Sequence, residues 1–130
     1  MQSFYIASSF QNVNKVHEIF KELKKNGYLE TYDWTKNNRT SSVESLRLIG
    51  EEERAAVLSA DFLIVLLPAG KGSHVELGIA LGAEKKVFLY APSIEVTSLD
   101  STFYYLPEVT HVTGSIDELL MKITMQLNEG

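Results

Sequence analysis

The stretch FLIVLLPAGKGSHVELG, residues 62–78, decides the fold. Its first part, Phe62–Leu67, is uninterrupted, apolar and β-prone, which is typical of a central strand buried on both faces of a parallel sheet. Pro68 cannot donate a hydrogen bond to a neighbouring strand and therefore ends it. Ser73 and Glu76 lie three apart and predict a capping box for a helix over His74–Ala83. The stretch thus predicts a strand, a turn and a helix.

The same alternation continues in both directions along the chain. Further strands are predicted at Phe4–Ala7, Tyr28–Tyr32, Val87–Tyr90 and His111–Thr113, and further helices at Val13–Lys25, from a Ser41–Glu44 capping box to about Ser59, and at Ile116–Asn128 behind Ser115 and Glu118. Gly27 is expected to stop the first helix with a positive φ. Strands separated by helices pair in parallel through right-handed crossovers. The prediction is one α/β domain over residues 1–130, with a doubly wound, flavodoxin-like or Rossmann-like parallel sheet of about five strands and helices on both faces.

Composition narrows the class of protein. Hydrophobic residues make up 45% of the chain and charged residues 22%, which is usual for a soluble globular protein. The absence of cysteine excludes disulfides and thiolate chemistry. The net charge of −5 argues against nucleic acid as a partner. We expect a cytoplasmic protein without a membrane span, a cofactor or a metal site, since no signal peptide or metal-ligand spacing is seen.

The site is expected beyond the carboxyl ends of the strands, near the point where the strand order reverses. Three segments fall there: Ser8–Ser9–Phe10, Asp33–Trp34–Thr35 and Ala69–Glu76. In the last of these, Gly70 and Gly72 allow close backbone approach and unusual dihedral angles, and the following helix start offers unpaired amides. This combination suits a phosphate or sugar hydroxyls. It matches neither the P-loop nor the GxGxxG pattern.

Glu76 and Tyr5 each allow two interpretations. Glu76 is either the second half of a capping box or a carboxylate that attacks or stabilises a cationic carbon such as C1 of a sugar. Tyr5 alternates with Ala7 and Ser9 along the first strand, so its hydroxyl either reaches the site or lies in the core.

The remaining candidates are weighed in the same way. Asp33 and Trp34 offer a carboxylate and an aromatic plane that could hold a base or a ribose, although Trp34 could equally be packing. His74 lies inside the glycine loop and is a candidate ligand-binding residue. The run Glu51–Glu53 is typical of a solvated helix face. The other two histidines, His17 and His111, are interpreted as surface or structural residues.

The run Leu66–Gly78 resembles the nucleoside 2-deoxyribosyltransferase family, in which a loop of small residues precedes Glu-Leu-Gly on a helix. Tyr5–Ser9 is similar to that family's first strand and turn. Ala80, Gly82 and Lys86–Val87 continue the match into the next strand. The resemblance covers most of the chain, while its specific part is short.

This resemblance implies cleavage or transfer at the N-glycosidic bond of a (deoxy)nucleoside or its 5′-monophosphate. It assigns the attack on C1′ to Glu76 and the positioning of that carboxylate to Tyr5. Seven residues before Ala60, where the family usually carries Asp to assist at the base or sugar, this chain has Glu53. That difference of one methylene puts the substrate geometry in question.

A second departure favours hydrolysis over base exchange. The transferases carry a further acidic residue between the third strand and the motif, whereas Leu66–Lys71 has none. The hydrolase branch binds phosphate with a serine of the first turn, which implies Ser9, and with a serine of a neighbouring subunit, which implies Ser101 or Ser98.

An aromatic stretch at Ser98–Tyr105 also indicates a homodimer, although a lid or a core segment would carry the same residues.

The glycine loop is also similar to the Pro-Gly-Gly-x-Gly-Thr-x-x-Glu motif of cytokinin-activating phosphoribohydrolases, with Ala69 and Ser73 replacing Gly and Thr. Those enzymes break a nucleotide N-glycosidic bond as well. The competing hypotheses are a non-catalytic nucleotide-sensing module on the same fold and a purely structural or interaction domain. In the last case, Gly70–Ser73 would be only a turn.

Overall fold

The computed structural model describes residues 2–37, 42–92 and 101–128. In that part of the chain five strands form one sheet in the order β2-β1-β3-β4-β5. The strands are β1 (Ser3–Ala7), β2 (Leu29–Glu30), β3 (Phe62–Leu66), β4 (Lys86–Ala91) and β5 (Val109–Thr113), and the helices are α1 (Val13–Lys25), α2 (Val43–Ser59), α3 (Lys71–Gly82) and α4 (Ile116–Asn128). Short 3₁₀ helices lie at Phe10–Asn12, Trp34–Lys36 and Thr102–Tyr105.

All neighbouring strands pair in parallel, which confirms the predicted α/β class and the number of strands. Helices α1 and α4 contact each other, as do α2 and α3, so that the two pairs cover opposite faces of the sheet. The chain reverses its direction of travel between β1 and β3, which pair over Phe4–Ala7 and Phe62–Val65. The carboxyl ends of these two strands are therefore where this fold binds ligands.

The core sits on both sides of β3. Every residue of that strand is buried, which confirms the prediction of a central strand. On the α1 side, Phe4 packs between Phe20 and Phe62, and Phe62 meets Phe88 edge to face. Strand β2 is shorter than the predicted Tyr28–Tyr32, because only Leu29 and Glu30 follow the ladder of β1. Over the described residues, no helix combines the length and apolar character needed to cross a membrane.

Two of the predicted helix ends are confirmed and one is shifted. Gly27 follows α1 with a φ of 90°, in the left-handed region that glycine favours at the end of a helix. The Ser115 hydroxyl accepts a hydrogen bond from the Glu118 amide and so caps α4. The cap of α2 is Ser42, whose hydroxyl accepts from the Ser45 amide at 3.0 Å, and not Ser41, which lies outside the described residues.

The predicted start of α3 is wrong. The helix begins at Lys71 with Gly70 as its N-cap, so Ser73 lies inside the first turn and is buried. The capping box of Ser73 and Glu76 therefore does not form. The expectation of unusual dihedral angles at Gly70 and Gly72 is also wrong, because in the described residues only Gly27 and Gly114 among glycines have a positive φ.

Candidate functional site

A hydrogen bond between β1 and α3 forms the centre of the site. The Tyr5 hydroxyl donates to Glu76 Oε2 at 2.5 Å. Tyr5 is fully buried on β1, where its side chain points to the face covered by α2 and α3. Glu76 lies in the second turn of α3, the helix that follows the loop leaving β3. The bond places one carboxylate at the point where the strand order reverses, and it leaves the second oxygen of Glu76 unused by Tyr5.

Burial perturbs the acidity of both partners. The pKa of Glu76 is raised from 4.5 to about 7, first by desolvation and also by the charge of Glu53, while the hydrogen bond from Tyr5 opposes this rise. The pKa of Tyr5 lies far above its usual value, because of burial and then because of the negative charge of Glu76. Tyr5 therefore stays protonated and acts only as a donor to the carboxylate.

Two further side chains, Glu53 from α2 and Tyr32 from the segment after β2, are electrostatically coupled to this pair. Glu53 is half-buried, and its pKa is raised by desolvation and by the charge of Glu52. Glu53 in turn raises the pKa of Tyr5, of Glu76 and of Tyr32. Two carboxyl groups with raised pKa values at one site are typical of active sites that perform acid–base and nucleophilic chemistry.

The start of α3 contributes backbone donors. The first amides of a helix have no intrahelical acceptors, and no side chain caps this helix. A Cβ atom built on Gly70 or Gly72 would meet nothing within 4 Å. Neither packing nor a positive φ therefore requires glycine at these two positions. Open space beside unpaired amides is the arrangement in which a helix start binds an anion.

Ser8 and Ser9 lie at the end of β1 beside the chain that leaves β3. The Ser8 hydroxyl donates to the carbonyl of Leu66 at 2.9 Å, and the Ser9 hydroxyl donates to the carbonyl of Pro68 at 3.3 Å. The Asn12 amide donates to both Ser8 Oγ and the Pro68 carbonyl. These three side chains hold the loop that follows β3, and both serines remain partly exposed.

Asp33 and Trp34 are engaged in local structure. The Asp33 carboxylate accepts from the amide and the hydroxyl of Thr35, which caps the 3₁₀ helix Trp34–Lys36. Trp34 is 5% exposed, its indole N–H donates to the Ile6 carbonyl at 2.6 Å, and Phe10 meets its ring edge to face. Trp34 thus packs against β1 and leaves almost no ring surface for a base.

His74 and Ser101 lie on another side of α3 from Glu76. They line a groove of about 520 Å³ whose other lining residues are Leu77, Gly78, Leu81, Gly82, Phe103 and Leu106. The Ser101 hydroxyl accepts from the Phe103 amide at 3.2 Å. Within one chain, the structure does not bring Ser101 to Glu76. Ser98 lies outside the described residues.

Sequence reasoning missed Tyr32 and Asn12. The Tyr32 hydroxyl donates to Asn37 Oδ1 at 2.8 Å, and it interacts with Glu52 and Glu53. Its position at the end of the second predicted strand, next to Asp33, is the signal that could have found it. The charge run Glu51–Glu53 predicts that all three side chains are solvated. In the structure Glu51 and Glu52 are exposed, whereas Glu53 is half-buried. Among the residues that the structure covers, no three histidine or acidic side chains cluster as metal ligands would.

The comparisons with known proteins concern the fold. No protein-family model matches the sequence, and no curated protein matches it. Among solved structures, the chain is similar to the CMP N-glycosidase BcmB of Clostridium botulinum, with a TM-score of 0.66, 18% identity and coverage of 96% of this chain and 99% of that one. It is also similar to a conserved protein of Enterococcus faecalis V583, with a TM-score of 0.64, 15% identity and coverage of 97% and 99%.

A third similarity is to a protein designed de novo with a Rossmann 2x3 fold. Its TM-score is 0.54 at 15% identity, with coverage of 99% of this chain and 90% of that one. The similarity to the two natural proteins extends over nearly the whole length of each. The chain therefore has the Rossmann-like fold that it shares with a CMP N-glycosidase.

Proposed function

We propose that this chain cleaves the N-glycosidic bond of a nucleoside 5′-monophosphate, with Glu76 as the nucleophile. One observation carries the proposal: a mostly buried carboxylate at the β1/β3 switch point, held at 2.5 Å by a tyrosine that stays protonated because its pKa is raised. Such a carboxylate suits attack on a carbon that develops positive charge. The shared fold with a CMP N-glycosidase supports the choice of bond.

In the proposed reaction, the ionised carboxylate of Glu76 attacks C1′ while the bond from C1′ to the base nitrogen breaks. The electron pair of that bond leaves with the base, which takes up a proton, and an ester joins Glu76 to C1′. Water then attacks C1′, releases Glu76 as a carboxylate and loses a proton. The products are the free base and the sugar 5-phosphate, so atoms and charges balance without a redox step.

Glu53 is our candidate for the proton transfers. Its raised pKa keeps a larger share of its carboxyl groups protonated near neutral pH than an exposed glutamate would have. A protonated Glu53 can donate to the departing base, and the resulting carboxylate can accept the proton from water. The extra methylene relative to aspartate lets its carboxyl group reach further from α2.

The phosphate is expected at the start of α3. The unpaired amides beside Gly70 and Gly72 and the positive end of the helix dipole favour an anion there. The Ser9 hydroxyl lies against Pro68 at the beginning of the same loop and can turn toward a phosphate. Lys71 supplies a positive charge where the transferases carry an acidic group, which supports hydrolysis over base exchange.

Release of free base tests the proposal. The protein is incubated with the common nucleosides, deoxynucleosides and their 5′-monophosphates, and the products are separated by chromatography. We expect base from a monophosphate with the unsubstituted protein, and at least a hundredfold less with Glu76→Gln. Glu51→Gln, on an exposed position of α2, is the matched control and is expected to retain activity.

Other outcomes point to the alternatives. Incorporation of an added labelled base into nucleotide would show transfer instead of hydrolysis. Nucleotide binding that survives Glu76→Gln, with no base released by either protein, would support a sensing module and overturn the enzymatic proposal. Failure to bind any nucleotide would support a structural domain.

A further inference from the structure

We infer that His74 is a positioning residue, which fixes the first peptide plane of α3 so that its amide meets the phosphate of the ligand. The inference deepens the proposed function and rests on it for the identity of the anion. His74 itself does not contact the reacting atoms. It lies two residues before Glu76, so that its side chain leaves the helix about 200° away from that of Glu76.

The hydrogen bonds of His74 determine which of its nitrogens carries the proton. Nδ1 lies 2.7 Å from the carbonyl oxygen of Gly70, and Nε2 lies 2.7 Å from the hydroxyl of Tyr104. A carbonyl oxygen only accepts, so Nδ1 is the protonated nitrogen and donates to Gly70. In the neutral ring Nε2 then accepts the hydroxyl proton of Tyr104.

The Gly70 carbonyl consequently receives two hydrogen bonds from one residue. The His74 backbone amide donates to it at 3.2 Å, in addition to the Nδ1 bond. A peptide unit is planar and trans, so fixing the direction of the Gly70 carbonyl also fixes the opposite direction of the Lys71 amide. That amide is one of the unpaired donors at the helix start.

Tyr104 connects the histidine to the edge strand β5. Its ring stacks on the His74 ring with centroids 5.8 Å apart and an interplanar angle of 21°. Tyr104 is 3% exposed, and its own carbonyl accepts from Nε2 of His111 at 2.6 Å. The imidazole is therefore held between the helix start and strand β5. No side chain caps α3, and the His74 ring bonds to the carbonyl of its N-cap residue, Gly70.

Three substitutions separate the two bonds of His74. The side-chain nitrogen of Asn stands at the position of Nδ1, so His74→Asn retains a donor for Gly70 and loses Tyr104. His74→Gln reaches toward Tyr104 and loses the bond to Gly70. Tyr104→Phe removes the hydroxyl and keeps the stacked ring. All three are made in a Glu76→Gln background, where a bound substrate is not consumed.

Calorimetric titration with four ribonucleoside 5′-monophosphates, their nucleosides and inorganic phosphate provides the test. For the monophosphates and for phosphate, we expect His74→Gln to weaken binding about tenfold, the size of one lost charge-assisted hydrogen bond. Nucleoside affinity should change less than twofold. His74→Asn should retain most of the monophosphate affinity, and Tyr104→Phe should fall between the two.

Three outcomes contradict the inference. Equal losses for nucleosides and monophosphates would show a merely structural histidine, and so would an unchanged affinity in His74→Gln or no phosphate-dependent binding in the parent. Base release is assayed separately on the chain with Glu76 intact. If it is absent while the phosphate-dependent loss is seen, the proposed function fails and the positioning role stands. If base is released but that loss is not seen, the positioning role fails and the proposed function stands.

Discussion

At the scale of single residues, the Tyr5–Glu76 hydrogen bond controls the charge of the nucleophile. Burial favours the neutral carboxyl group, and the Tyr5 hydroxyl opposes it by donating to the carboxylate. With a pKa of about 7, about half of the Glu76 side chains are ionised at neutral pH. Because only the ionised form attacks, kcat/KM for base release should rise with pH with a midpoint near pH 7, and it should fall again at higher pH as Glu53 loses the proton that it donates to the base.

Substitution of Tyr5 tests this balance. Tyr5→Phe removes the interaction that lowers the pKa of Glu76, so the midpoint of the pH profile should move to higher pH. At pH 7 the rate should fall about tenfold or more, the usual effect of losing a hydrogen bond to a charged group. Tyr28→Phe, which changes a tyrosine packed on Phe62 away from the site, is the control. A midpoint that stays in place or moves down would contradict the account.

The same pKa predicts how stability depends on pH. The folded-state pKa of Glu76 lies above its unfolded value, so its stabilising effect is complete below about pH 4.5 and is lost as the pH rises through 7. Glu76→Gln should therefore be more stable than the original chain at pH 8, by up to about 3 kcal/mol, and similar to it at pH 4. Urea unfolding at both values measures this. A stability difference of the same size at pH 4 and pH 8 would contradict this prediction.

At the scale of elements, substitutions of the glycines of α3 separate effects on stability from effects on nucleotide binding. Glycine inside a helix lowers stability by roughly 0.5–1 kcal/mol relative to alanine, and a Cβ at Gly72 would meet nothing within 4 Å. Gly72→Ala should therefore stabilise the protein by about that amount and yet weaken nucleotide binding, because the methyl group occupies ligand space. Thermal unfolding and a binding titration check the two halves.

Gly78→Ala is the matched control, since Gly78 lies in the same helix and its Cβ position is equally open. It should stabilise the protein without loss of affinity. If Gly72→Ala kept full affinity, the start of α3 would not be the phosphate site.

The elements also show where prediction from sequence succeeds. Phe62–Leu67 is a short, continuous apolar run of β-prone residues, which favours a buried strand. Gly27 and Ser115 mark their helix ends by backbone chemistry. The start of α3 is mispredicted because Ser73-x-x-Glu76 satisfies a local capping rule, while the helix actually begins at Lys71, three residues before the predicted His74. The Glu76 side chain instead accepts a hydrogen bond from Tyr5 of β1, and a local pattern carries no information about that contact.

At the scale of the whole molecule, the order of the strands brings the site together. Tyr5 and Glu76 are 71 residues apart in sequence and meet because β1 and β3 are neighbours at the switch point. Alternating strands and helices predict this edge of the sheet, and the resemblance in sequence points to the pair. The coupling of Tyr32 and Glu53 depends on how α2 packs on the sheet, which periodicity does not determine.

Exposed aromatic side chains predict self-association. Phe103 and Tyr105 are 60% and 53% exposed on either side of the buried Tyr104. Covering them in a homodimer would remove apolar surface from water and would place Ser101 of one chain near a second copy. Light scattering should give about twice the chain mass of 14.6 kDa, and Phe103→Ser should lower it. A monomer at micromolar concentration would rule out a serine supplied by a partner.

The most direct test of the central claim is the mass of the peptide that carries Glu76, isolated from the protein during turnover. The protein is mixed with a nucleoside 5′-monophosphate that it cleaves, quenched in acid within the first turnovers and digested for mass spectrometry. We predict an added sugar phosphate on the peptide that carries Glu76, absent from Glu76→Gln. Base release at an undiminished rate from Glu76→Gln, with no adduct on the original chain, would contradict Glu76 as the nucleophile.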